Sequence, residues 1–139
     1  MNDITHDFEL LPSGPFDLAG QNRHFGGWPT LPGDPGALVM AFPVEGSEAS
    51  AAVLLRQAPD GRLHGEVHGA PEPVVARAAA DQALAALSLD ADGSGWPAVG
   101  ERDPGLGELQ ARYGWLRPVL FHSPYEAAAA FVIGHRISI

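Results

Sequence analysis

The sequence predicts an α+β fold, in which a four-stranded antiparallel sheet with one packed helix is followed by the first helices of an all-α domain. Two strand-like runs flank Pro-Asp-Gly at 59–61, where Pro presets φ and Gly takes the left-handed position of a hairpin turn. An Ala- and Leu-rich stretch then begins near Pro73, which is typical of a helix packed on a sheet. Farther on, Ser123, Pro124 and Glu126 have the spacing of a capping box with a Pro start, which predicts another helix.

The four strands are predicted in the first half of the chain. Residues 1–14 are expected to form a loose or edge-pairing lead-in, and 15–25, "PFDLAGQNRHF", to form the first strand. A loop rich in Gly and Pro follows, and then a mostly apolar strand at 37–44. The arms of the hairpin, 51–57 and 62–69, are the last two strands.

The helices are predicted in the second half. One covers 71–89 and packs on the sheet, and 90–102 is expected to be a loop. A second helix starts at Asp103-Pro104 and stops at Gly114. The capping box at Ser123 starts the third. We therefore divide the chain into a sheet-plus-helix domain, 1–88, and the truncated start of a helical domain, 89–139.

Composition restricts the classes of function. The 139 residues are 45% apolar and 18% charged, as in a globular protein. There is no Cys, which excludes disulfides and thiolate chemistry, and no stretch approaches the ~20 apolar residues of a membrane span. The acidic start of the chain is unlike a signal peptide, so a cytoplasmic protein without membrane contact is expected. The net charge of −9 argues against a broad nucleic-acid surface, so any such contact must be local.

Candidate chemistry is sparse. His64, Glu66 and His68 alternate along a predicted strand and so share one face, where they form either a solvent-facing polar strip or a metal site. Neighbours in such a row are ~7 Å apart, which favours the strip. No nucleophile motif or phosphate-binding loop is present, and no spacing distinguishes a catalytic carboxylate. The residues themselves indicate no cofactor, no metal and no catalytic site.

The last predicted helix differs from the others. From Tyr125 to Ile133 it is apolar or Ala on nearly every side, so we expect it to be buried in a larger helical assembly. It then presents four residues of another kind: Gly134, His135, Arg136 and Ser138. These residues are either a helix end reaching solvent or a helix terminus directed at a polar or anionic partner.

The run from Leu87 to Ile139 resembles DNA-3-methyladenine glycosylase II and its relatives in the helix-hairpin-helix DNA glycosylase superfamily. The shared pattern contains Leu-x-Leu-Asp at 87–90, Asp-Pro-x-Leu at 103–106 and Gly-x-Leu-Arg-Pro at 114–118. It continues with Ser-Pro-Tyr-Glu-Ala from Ser123 and Ile-Gly-x-x-Ile-Ser from Ile133. The strands before residue 70 are similar in order to the small sheet-plus-helix domain that precedes the helical core in that family, a domain similar to the TATA-binding-protein fold.

The resemblance implies removal of alkylated bases from DNA in base excision repair, with the damaged nucleotide flipped out of the stack. It implies a DNA-binding role for Gly134, His135, Arg136 and Ser138. Arg136 matches the position of the side chain that wedges into the gap left by the flipped base. His135 replaces the Gln of the family pattern.

In the family the catalytic Asp and the helix-hairpin-helix lie downstream of this helix. We therefore expect the chain to be the amino-terminal portion of such an enzyme, supplying scaffold and wedge helix but no catalytic residue. Its expected partners are DNA, within the complete enzyme, and a complementary chain or a second copy at the last helix. The alternatives are a non-catalytic, glycosylase-derived protein-interaction module and a small metal- or ligand-binding protein that uses His64, Glu66 and His68.

Overall fold

The computed structural model describes residues 4–25 and 27–135. These residues form an α+β fold with a four-stranded antiparallel sheet and several helices, so the predicted class is confirmed. Along the chain the elements are β1 (Ile4–Leu10), α1 (Leu18–Phe25), β2 (Leu38–Pro43), β3 (Ser50–Gln57), β4 (Leu63–Ala70), α2 (Pro73–Ala86), α3 (Pro97–Arg102), α4 (Pro104–Tyr113) and α5 (Pro124–Gly134).

The sheet has the strand order β1-β4-β3-β2, and every neighbouring pair is antiparallel. β3 and β4 form the predicted hairpin, with Gln57 opposite Leu63. At the turn Gly61 has a φ of 87°, a conformation that glycine adopts without strain. The Asp60 carboxylate accepts the N–H of Arg62 at 3.0 Å. The local turn chemistry therefore sets the register of the central pair of strands.

The strand predicted at 15–25 is wrong. This segment contains the helix α1 instead. The remaining strand of the sheet is β1, which pairs with β4 at one edge, so the edge-pairing alternative predicted for residues 1–14 is the one observed. The cause is a tertiary contact from β3. The Gln57 side chain accepts the N–H of Leu18 at 2.8 Å and donates to the carbonyl of Phe16 at 3.2 Å, which satisfies the backbone where the helix begins. Leu18 and Gln21, three residues apart, are buried on one side of α1.

α2 packs on the sheet through a row of small side chains. It begins at Pro73, the predicted first helical residue, and its buried residues are all alanines. Those from Ala76 to Ala83 share one core with apolar strand residues that include Val53, Leu55, Leu63 and Val67. Because alanine is short, the helix backbone lies close to the sheet.

A glycine makes room for an aromatic ring on the sheet. Phe8 in β1 lies opposite Gly65 in β4. A Cβ at Gly65 would lie 2.1 Å from the Phe8 ring, far inside van der Waals contact. The strand therefore needs glycine at this position.

The segment predicted as a loop at 90–102 contains a short helix, α3, and that prediction is wrong for its second half. Pro97 is the first residue of α3, where a missing N–H costs nothing. The helix packs against α4 where two glycines meet, since a Cβ on Gly107 would lie 2.9 Å from the carbonyl oxygen of Gly100. The Trp96 indole donates to the carbonyl of Gly114 at 3.1 Å, which joins the start of α3 to the end of α4.

α4 has the predicted bounds. The Asp103 side chain accepts the N–H groups of Gly105 and Leu106, at 2.9 and 3.2 Å, and the helix ends before Gly114. The chain then returns to the sheet domain, where the N–H of Leu120 donates to the carbonyl of Ala86 at 2.9 Å. The division at residue 88 stays a prediction.

Candidate functional site

The start of α5 is fixed by side chains in its first turn. Ser123 accepts the N–H of Glu126 at 3.1 Å, as the capping-box spacing predicts. The Glu126 carboxylate accepts the N–H of His122, one residue before the cap, at 2.8 Å. Two N–H groups at the start of the helix are therefore satisfied, and the direction in which α5 leaves the body is set by these contacts.

α5 is exposed among the described residues, so the larger helical assembly that its apolar composition predicts is not supplied by them. Its described residues include none that is buried. Tyr125 is 84% exposed and Val132 78%, and Phe131 and Ile133 are also mostly exposed. A helix that is apolar on all sides is ordinarily covered. Its burial by another segment or protein stays a prediction.

The candidate DNA-binding residues lie at the far end of α5. Gly134 is the last helical residue, and His135 is exposed and keeps helical backbone angles. A Cβ on Gly134 would meet no atom within 4 Å, so this glycine does not serve close packing within the described chain. Arg136 and Ser138 lie outside the described residues. The structure thus brings two of the four residues to an exposed helix end.

The segment that leads to α5 is held by Gln21, a residue that the sequence analysis did not select. Its amide donates to the carbonyl of Arg117 at 2.7 Å, and its side-chain oxygen accepts the N–H of Arg117 at 3.0 Å. Gln21 is fully buried, 96 residues away in sequence. Both backbone polar groups of Arg117 are therefore satisfied by one side chain.

The Arg117 side chain gathers the loops around it. It is 8% exposed and donates to the carbonyls of Ser13, Ser88 and Ala91, the latter two at 2.8 and 3.0 Å. Burial lowers the pKa of Arg117, and the nearby charge of Asp92 opposes that shift. The role of Arg117 is structural, since its guanidinium N–H groups donate to backbone carbonyls. An Arg inside the apolar run 116–121 was the sequence signal for it.

Asp92 lies near Arg117 and bonds two of the surrounding loops. Its carboxylate accepts a short hydrogen bond from the Ser13 hydroxyl and another from the N–H of Ser94, at 2.9 Å. The pKa of Asp92 is lowered from 3.8 to about 2, mainly by the hydrogen bond from the Ser13 hydroxyl and then by the contacts with Ser94. The loops before α1 and after α2 are joined by this ionised carboxylate.

The strip of His64, Glu66 and His68 lies on the solvent face of β4, as the alternation predicts. Its members are engaged in pairs with separate partners. Glu66 accepts from Arg56 at 2.7 Å and lies 3.4 Å from His68, whereas His64 lies 3.1 Å from Glu9 of the neighbouring strand. In the described part of the chain, no group of three or more His, Asp or Glu side chains is arranged to hold a metal ion.

His122, just before α5, lies between the sheet and the helix. Its ring stacks on Phe42 of β2, with centroids 4.9 Å apart and planes at 20°. Its Nδ1 lies 3.2 Å from a Glu126 oxygen, and its enclosed Nε2 has no hydrogen-bond partner among the described residues. This stack is a contact between the segment that leads to α5 and the sheet.

A groove runs between α2 and α5 and encloses about 1030 Å³. Its lining is mainly apolar, with contributions from the end of β1, from α2, from the segment 119–124 and from α5. Ala78, Leu84 and Ala85 line the α2 side, and Ala127 and Phe131 line the α5 side. The groove is the broad concave surface beside the candidate helix.

Comparison of the chain with protein-family models, with curated proteins and with solved structures finds no match. No helix within the described ranges is long and apolar enough to cross a membrane.

Proposed function

We propose that this chain forms the amino-terminal portion of a DNA glycosylase that removes alkylated bases in base excision repair. In this proposal residues 1–88 are a scaffold domain similar to the TATA-binding-protein fold, and α5 is the wedge helix. Arg136, with Gly134, His135 and Ser138, would enter the gap left by the flipped base. The catalytic Asp and the helix-hairpin-helix would come from a segment that follows α5 in the family.

The order of elements supports the proposal. An antiparallel sheet with a helix on it comes first, and the helices that bear the glycosylase-like motifs follow in the order of the resemblance. The Ser-Pro-Tyr-Glu motif starts a helix at Ser123, as a motif that positions a functional helix requires. The order of elements and the capped helix support the architecture of the proposal, and the resemblance of the motifs to the glycosylase family supports the DNA-binding role.

The observation that carries the proposal is the exposed end of α5. The helix is capped at its start, and at its far end His135 is exposed and Gly134 is half-buried. The stretch 127–139 contains no Asp or Glu. On a chain with a net charge of −9, an end free of carboxylates permits a local approach of phosphate, whereas a broad DNA surface would be repelled.

Fluorescence anisotropy with a duplex bearing one abasic-site analogue tests the proposal, because such a duplex offers the gap that a wedge fills. We expect weak binding by this chain at low salt, and Arg136→Ala should weaken it by about fivefold, as for loss of one charged contact. Arg112→Ala is the matched control, since Arg112 is exposed on α4 and outside the candidate site. Equal effects of the two substitutions, or no binding at all, would contradict the wedge role.

Release of methylated bases by this chain alone is expected to stay at background, because flipping without activation of the glycosidic bond is unproductive. A methylated duplex, heated after incubation to reveal abasic sites, gives the measurement. Turnover that persists through repeated purification would place a catalytic carboxylate within this chain and refute the assignment of scaffold and wedge alone.

A second candidate function is a glycosylase-derived module that binds another protein and performs no chemistry. The exposed apolar surface of α5, with Phe131, Val132 and Ile133, favours it, since exposed patches of this kind mark protein contacts. Absence of DNA binding together with recovery of a defined protein complex would distinguish this function from the first.

A further inference from the structure

The groove between α2 and α5 has a shape that can accept a helix. It encloses about 1030 Å³, and the residues of α2 that line it lie between Ala78 and Ala85. At 1.5 Å per residue that part of α2 is ~12 Å long, which is room for about two turns of a helix lying along the wall. Two helical walls with a concave space between them form the groove into which a third helix packs.

The floor and the α5 wall are apolar and open. Leu84 and Leu89 lie on the side of α2, and Leu120, Phe121 and Phe131 complete the lining. The last three are exposed large side chains, and the two Phe rings meet edge to face with centroids 6.4 Å apart. A contiguous apolar surface of this kind fits the apolar stripe of an amphipathic helix.

The rim of the groove is acidic. Glu45, Asp81 and Asp90 line it and are exposed, and no Arg is among its lining residues. None of the three carboxylates takes part in an ion pair within residues 4–25 and 27–135. An apolar floor between unpaired carboxylates selects for a partner that is apolar in the middle and cationic at its edges.

The same charges disfavour the other occupants. A second copy would bring its own net charge of −9 to the groove, and the only charged residue in the helical stretch of its α5 is Glu126. DNA phosphates would meet three carboxylates. Both contacts place like charges together, which opposes association.

We propose that this groove binds an amphipathic helix of a partner protein, with Lys or Arg flanking an apolar stripe. The apolar stripe contacts Leu120, Phe121 and Phe131, and the cations lie against Asp81 and Asp90. The proposal is independent of a DNA role, because the groove is acidic and neither Gly134 nor His135, the described members of the candidate DNA-binding set, lines it.

The test uses a synthetic peptide of about 14 residues, built from Leu, Ala and Lys with one apolar stripe, and a matched peptide in which Glu replaces every Lys. Binding of each labelled peptide is followed by anisotropy. We expect the Lys peptide to bind at least about tenfold more tightly than the Glu peptide, with the difference shrinking as salt is raised.

Variants of the chain locate the contact. Asp81→Lys with Asp90→Lys should weaken binding of the Lys peptide by about tenfold or more. Glu101→Lys with Glu108→Lys changes the net charge equally but lies on α3 and α4, outside the groove, and should change binding less than about twofold. Equal losses in the two double variants would show non-specific attraction and overturn the proposal.

The apolar floor has its own pair of variants. Phe131→Ser removes one wall of the groove, and Leu109→Ser changes an exposed apolar residue on α4. If Phe131→Ser weakens binding of the Lys peptide and Leu109→Ser does not, the result supports helix binding in the groove. Sedimentation at the assay concentration tests the alternative occupant. If the chain is a dimer and binds the Lys peptide only after Phe131→Ser makes it monomeric, a second copy occupies the groove and the proposed partner is refuted.

Discussion

The side chain of Gln21 bonds both backbone polar groups of Arg117, as a neighbouring strand would. It donates to the carbonyl at 2.7 Å and accepts from the N–H at 3.0 Å, across 96 positions of sequence. The Arg117 side chain then reaches back to the carbonyls of Ser13 and Ser88. The segment that leads from α4 to α5 is therefore fixed to α1 and to the loops before α1 and after α2 through two buried side chains, Gln21 and Arg117.

Gln21→Leu tests the contact. The substitution keeps the side-chain volume but leaves the buried N–H and carbonyl of Arg117 without partners, which should cost about 2–4 kcal/mol in the free energy of unfolding. Urea denaturation followed by far-UV circular dichroism gives the measurement. Gln82→Leu is the matched control, because Gln82 makes the same two-way contact, with Glu45 and Pro43, at the surface. Its cost should stay below about 1 kcal/mol, and similar costs at both positions would refute the special role of the buried contact.

The pair Phe8 and Gly65 gives a second prediction. A methyl group at Gly65 would lie 2.1 Å from the ring, so Gly65→Ala should destabilise the chain by about 1–3 kcal/mol through overpacking. Phe8→Leu in the Gly65→Ala background should recover part of that loss, because the ring is the obstacle. Thermal unfolding of the two single variants and the double variant measures the coupling. Strictly additive effects would mean that strand conformation, not the ring, requires glycine here.

Local sequence signals predicted much of the fold. The hairpin at 59–61, the Pro-started α2 and the capped starts of α4 and α5 all depend on residues close in sequence, so their patterns contain the information. α1 was mistaken for a strand because its start is satisfied by Gln57, a distant residue. Only the folded chain brings that side chain to Leu18 and Phe16.

The candidate site was predictable in part for the same reason. The start of α5 followed from its cap, and its apolar composition was visible, but the exposure of Phe131 and Val132 depends on which elements pack against the helix. Gln21 gave no signal because a glutamine in a short helix is ordinarily solvated. The acidic rim of the groove joins Glu45 with Asp81 and Asp90, residues from separate elements that a linear pattern does not group.

Stability at low pH should depend on Asp92. Its folded-state pKa is lowered from 3.8 to about 2, mainly by the Ser13 hydroxyl, so the ionised form stabilises the fold. That contribution is complete above about pH 4 and is lost as the pH falls through about 2. Ser13→Ala should reduce the dependence of the melting temperature on pH in this window, and Asp92→Asn should remove the part due to this group. A melting curve series whose slope between these limits is unchanged in both variants would refute the assignment.

The predicted sheet-plus-helix domain provides the last test. The described core cluster lies, except for Leu89, at or before Leu87, so a fragment of residues 1–88 should unfold in one cooperative thermal transition. It should be less stable than the whole chain, because it lacks the contacts of Arg117 and the hydrogen bond from Leu120 to Ala86. Calorimetry of the fragment gives the measurement.

In the fragment the side chain of Gln21 has lost the backbone N–H and carbonyl of Arg117 that it bonds in the whole chain. Gln21→Leu, costly in the complete chain, should therefore be nearly neutral in 1–88, within about 0.5 kcal/mol, since no buried partner is left unsatisfied. The difference between the two backgrounds measures the coupling between the domain and the segment that leads to α5. If the fragment shows no cooperative transition, the domain boundary at residue 88 is wrong. If Gln21→Leu is equally costly in both backgrounds, Gln21 acts within the sheet domain and does not hold the segment of Arg117.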